Sequence, residues 1–207
     1  MGPRPTGAMF PGMGKPMGEP QDIDRQRIIA QTRAWVDRAV IGLDLCPFAR
    51  AAQAAGRVRY EVSEARTPAR LLEDLGVALA ELAAADPREV ETTLLVAPWT
   101  LADFLEFNDF LDPAEALLDR LGLVGEIQIA SFHPDYRFVD TEPDDIGNAT
   151  NRSPFPTLHL LREASIERVV EAGADADAIV ARNLRTLEKL GPDGWARLMA
   201  ACRADAG

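Results

Sequence analysis

Between residues 57 and 162 the spacing of apolar side chains switches repeatedly between period 2 and period 3.6. That alternation restricts the chain to folds that interleave strands with helices. Val58, Tyr60 and Val62 alternate with Arg57, Arg59 and Glu61, the pattern of a strand with one buried face. Thr67-Pro68 then supplies an N-cap and a first-turn proline for a helix through Leu71, Leu75, Leu79 and Leu82, which stops near Asp86-Pro87. Residues 92–97 (TTLLVA) are a continuous apolar run, as in a strand buried on both faces. Thr100 with Asp103 caps a helix carrying Phe104, Phe107 and Phe110, and Asp112-Pro113-Ala114-Glu115 restarts it. Residues 126–132 and 157–162 complete the set as third and fourth strands.

Helical spacing over 22–44 places Ile28, Trp35, Val36 and Val40 on one face, and further helices are expected over 165–172, 177–190 and 194–203. The order βαβαβ predicts an α/β fold: an open, mostly parallel sheet of about four strands packed by helices. A long loop separates the third strand from the fourth. Residues 134–156 carry Pro134, Pro143, Pro154 and Pro156, several acidic residues and little apolar periodicity, and loops of this length often bind ligands. The loop also begins where a parallel strand would end, the usual ligand position in open sheets.

The apolar fraction of 47% and charged fraction of 27% suit one globular domain. Residues 1–20, rich in Gly, Pro and Met without the apolar stretch of a secretion signal, read as a disordered tail, leaving residues 21–207 as a single α/β domain. No apolar run approaches the ~18 residues of a membrane span, so no membrane partner is expected. A net charge of −11, with no basic cluster interleaved with aromatics, argues against a nucleic-acid partner. Cys46 and Cys202 form no CxxC or repeated framework, as in a reduced cytoplasmic protein.

Cys46 precedes Pro47 and a short helix over 48–55, so it is expected as N-cap, where the helix dipole favours a thiolate. His133 and His159 flank the long loop, and imidazole titrates near neutrality. Within the loop Asp135, Asn148, Asn151, Arg152 and Ser153 offer groups that orient a small polar or anionic ligand; the same groups also stabilise turns. P-loop, dinucleotide, zincin and α/β-hydrolase motifs are absent.

Three segments, Leu45-Cys46-Pro47-Phe48-Ala49, the run from Ser131 to Phe138 (SFHPDYRF) and the run from Asn151 to His159 (NRSPFPTLH), resemble the signatures of a bacterial family known as domain of unknown function 1415. The resemblance spans roughly residues 25–195 and implies a single soluble domain; it transfers no catalytic residue.

The leading expectation is an enzyme with Cys46 as nucleophile and His133 or His159 as base, acting on a small-molecule substrate beneath the loop. Its reaction, cofactor and oligomeric state are left open. A metal site from Cys46, His133, His159 and Asp135 is one alternative. The other is a non-catalytic binding domain acting through residues 134–156.

Overall fold

The computed structural model describes residues 25–171 and 175–204. In chain order its elements are α1 (Arg25–Trp35), α2 (Ala49–Ala54), β1 (Val58–Val62), α3 (Pro68–Ala84), β2 (Thr92–Val96), α4 (Phe104–Arg120), β3 (Ile127–Phe132), β4 (Thr157–Arg162), α5 (Glu163–Glu171) and α6 (Ala176–Ala204). A π-helical turn, Val36–Ile41, follows α1, and a 3-10 turn, Ile146–Asn151, precedes β4. The tail expected over residues 1–20 lies outside the described residues, as does the end of the helix expected over 165–172.

Local chemistry sets the helix starts. The Thr67 hydroxyl accepts the Arg70 N–H at the head of α3, and the Asp103 carboxylate accepts those of Leu105 and Glu106 at the head of α4. Pro113 lies inside α4, where it restarts nothing. Gly191, at φ 67°, breaks α6 where two helices were expected to meet.

The sheet order is β1-β2-β4-β3, with β1 parallel to β2 and β4 antiparallel to both of its neighbours. The expectation of a mostly parallel sheet is therefore corrected to a mostly antiparallel one. Its physical reason is the connection between β3 and β4. A parallel return needs a crossover that carries the chain back along the sheet, usually a helix, and residues 133–156 hold only one short 3-10 turn. β4 therefore starts beside the end of β3, Thr157 opposite Phe132, and runs back between β3 and β2.

Strand pairing sorts the side chains into two faces. Leu95, Leu158, Leu160, Ile127 and Ile129 pack with α3 and α4 around Leu71, Leu75, Phe107 and Phe110. Leu94 and Phe132 face the opposite way, onto Trp35, Val36, Ala39 and the α6 residues Leu187, Trp195 and Met199. The result is a helix–sheet–helix sandwich whose second layer also carries α2 and the segment leading to it.

Candidate functional site

The segment that bears Cys46 is shaped by the wide turn at the end of α1. Asp44 takes a left-handed conformation, φ 55°, and the Leu45 N–H bonds the Val40 carbonyl, closing the helix end much as a terminal glycine would. From α6, Asn183 Nδ2 donates to the Leu45 carbonyl at 2.8 Å and Arg182 pairs with the Asp44 carboxylate at 3.1 Å. Cys46 is thus clamped over the sheet.

Below it lies a cavity of ≈ 290 Å³. The sheet forms its floor with Leu94, Ala130, Phe132 and His159, and Trp35, Val36, Val40, Cys46, Phe48 and Ala49 form its roof. The Trp35 and Phe132 rings meet edge to face at 5.2 Å. The gap has a simple origin: Ala49 and Ala52 of α2 and Ala130 of β3 are too short to close the space between helix and sheet. Thr150 and Asn151, from the connection between β3 and β4, border the cavity.

His159 sits mid-strand on β4, with Nε2 2.7 Å from the Thr92 hydroxyl, which stands 2.6 Å from the Leu160 carbonyl oxygen. Burial among these walls depresses the imidazole pKa to about 4, so the ring is neutral near pH 7. The Cys46 thiol is shifted the other way. Burial raises its pKa; the N–H groups of Phe48 and Ala49 oppose the rise, and nearby Asp44 adds to it. The expectation of an activated thiolate is corrected accordingly. The sulfur does meet the backbone at the start of α2, whose N-cap is Phe48 rather than the expected Cys46, but desolvation outweighs those two hydrogen bonds.

His133 belongs to the other face. It is fully buried against Phe104 and Phe107, at ring distances of 5.5 and 5.1 Å. Its Nε2 donates to the Leu101 carbonyl at 3.1 Å and its Nδ1 accepts the Asp135 N–H at 3.0 Å. Both ring nitrogens are spent on holding the start of the connection; Cys46 and His159 line one cavity, and His133 is not among its lining residues. Among the described residues no group of three or more His, Cys, Asp or Glu side chains could hold a metal ion, so the set Cys46, His133, His159 and Asp135 does not assemble.

Most polar residues of the connection bond the connection itself. Asn148 is buried, its Oδ1 accepting from Phe138 N–H and the Thr141 hydroxyl and its Nδ2 donating to the Glu142 carbonyl. The Arg152 guanidinium donates to the carbonyls of Tyr136 and Pro143, and the Ser153 hydroxyl to that of Phe155. Asp135 and Arg152 border a separate cleft with Asp103 and Arg137. Of these five residues only Asn151 reaches the Cys46 cavity; its Nδ2 donates to the Ser131 carbonyl at 3.2 Å.

Sequence reasoning missed Trp35, Thr92 and the small residues that open the cavity. The alanine-rich run of residues 49–55 was the available signal, since a covering helix without large side chains cannot fill the layer beneath it.

A family model described as a protein of unknown function, DUF1415, matches residues 27–197. No curated protein and no solved structure matches the chain.

Proposed function

The chain belongs to the DUF1415 family of proteins of unknown function, and we propose from its residues that it binds a small, largely apolar molecule in the cavity between α2 and the sheet. The observation that carries this reading is the shared cavity itself. Cys46 and His159, distant in sequence, both line a space of ≈ 290 Å³ walled by Trp35, Leu94 and Phe132. Interiors pack with few voids larger than a water molecule, and apolar recesses with a few convergent polar groups are where ligands bind.

Naphthalene tests it by titration calorimetry. One molecule is expected to bind per chain, and Ala49→Phe, which pushes a ring into the recess, abolishes the signal. Absence of heat with the wild type, or unchanged binding by a folded Ala49→Phe protein, removes the reading.

The same cavity favours a second reading, in which the Cys46 sulfur attacks a small substrate with His159 as base. It needs the substrate to draw the thiol into reaction, because the resting thiol and imidazole are both neutral near pH 7. Retention of a covalent adduct at Cys46, read by mass spectrometry after exposure to candidate substrates and lost in Cys46→Ser, is its test.

No helix among the described residues is long and apolar enough to cross a membrane.

A further inference from the structure

The Thr92 hydroxyl has a single proton, and two atoms stand within hydrogen-bond distance of it: the Leu160 carbonyl oxygen at 2.6 Å and His159 Nε2 at 2.7 Å. A carbonyl oxygen can only accept. Two oxygens at 2.6 Å with no proton between them repel, so the hydroxyl proton is committed to Leu160. Nε2 must then carry a hydrogen and donate it to Thr92 Oγ1, which leaves the lone pair of the neutral ring on Nδ1. No bond to Nδ1 is made among the described residues, and His159 lines the cavity.

The rest of the polar wall mixes acceptors with donors. Asn151 Oδ1 is a second acceptor without a partner among the described residues. Glu91 is held by Arg57 and Arg168, each at 3.0 Å. Arg162 is the one cationic side chain among the described lining residues, and its Nη2 donates to the carbonyls of Leu82, Ala85 and Val90, on the α3 side of the sheet; its Nε is buried without a partner. Glu91 places a negative charge on this wall and the hydrogen bonds of Arg162 Nη2 run to the α3 side of the sheet, so a neutral donor meets these acceptors more favourably than an anion does. An engineered cavity of about 150 Å³ holds one benzene, so ≈ 290 Å³ suits a molecule of about two rings.

Resting on the cavity being the ligand site, we infer that its ligand is an uncharged molecule of one or two rings that donates an O–H or N–H hydrogen bond to His159 Nδ1, with Thr92 as the positioning residue that sets the tautomer. The polar or anionic substrate expected from the sequence is thereby narrowed to a neutral donor.

Two measurements test this. Nitrogen NMR of the unliganded wild type is expected to show a protonated Nε2 and a lone-pair Nδ1; a proton on Nδ1 overturns the inference. Calorimetry near neutral pH then compares 2-naphthol, 2-methylnaphthalene and 2-naphthoate. One added hydrogen bond predicts that 2-naphthol binds about tenfold more tightly than 2-methylnaphthalene, with 2-naphthoate weaker than 2-naphthol. That preference shrinks in Thr92→Val and returns in Thr92→Ser; an unaltered preference in folded Thr92→Val overturns the role of Thr92. Equal affinity for 2-naphthol and 2-methylnaphthalene, or tightest binding of 2-naphthoate, overturns the ligand class and leaves the cavity reading standing. Binding of none of the three removes both.

Discussion

His159 shows how a single residue ties the cavity to stability. Its folded pKa of about 4 lies below the 6.5 of an ordinary histidine, so the unfolded chain takes up a proton first as the pH falls. The stability this group contributes is complete above about pH 6.5 and declines as the pH falls towards 4, by no more than about 3 kcal/mol in all. Cys46 and Glu91 line the same cavity, and His133, also depressed by burial, acts in the same direction. A variant comparison therefore isolates the effect: urea unfolding between pH 7 and pH 4 is expected to show a shallower acid limb for His159→Gln than for the wild type. Thr92→Val, which strands the imidazole N–H, is expected to cost about 1–3 kcal/mol at pH 7. Cys46 titrates in the opposite sense. Because burial raises its pKa from 9.0, iodoacetamide labelling is expected to be slow at pH 7 and to keep accelerating beyond pH 9, with the fully buried Cys202 as the unreactive control. A rate that levels off near neutrality contradicts the neutral thiol.

At the scale of elements, the π-helical turn and its closing bonds decide where Cys46 stands. Gly42 ends that turn, and a Cβ there would overlap the Arg38 carbonyl oxygen, a backbone atom that cannot step aside without opening the turn. Gly42→Ala is expected to destabilise the fold by about 1–3 kcal/mol, read by thermal or urea unfolding, and to displace the Cys46 segment, read as a changed labelling rate. The element boundaries that rest on local chemistry were legible in the sequence: the caps of α3 and α4, the apolar run of β2 and the break at Gly191 each follow from one or two residues. The π-helical turn was not legible. Its sequence, VDRAVI, has ordinary helical character, and the wider turn shows only in the bonds it makes.

For the whole molecule, the two helical layers leave one side of the sheet filled and the other with a recess. A ligand that enters the folded form alone stabilises it by mass action, about 2.7 kcal/mol at a hundredfold excess over its dissociation constant. For a chain of 207 residues that predicts a melting temperature higher by roughly 5–10 °C with 2-naphthol at that excess. Scanning calorimetry with and without the ligand checks it, and the Ala49→Phe protein is expected to show no rise.

The sequence by itself determined the strands and most of the α-helices, because periodicity, caps and breakers act over a few residues. It also drew attention to Cys46, His133 and His159 through their scarcity and their neighbours. Tertiary structure alone decided which of them line one cavity. Successive residues of a strand point to opposite faces, so His133, directly after Phe132, falls on the α4 side while His159 shares the other face with Phe132. That outcome depends on β4 entering antiparallel between β2 and β3, a long-range pairing that no local window encodes. Burial follows from the same pairing, and it reversed the expectation for Cys46: desolvation by distant parts of the chain outweighs the hydrogen bonds that its own neighbours provide.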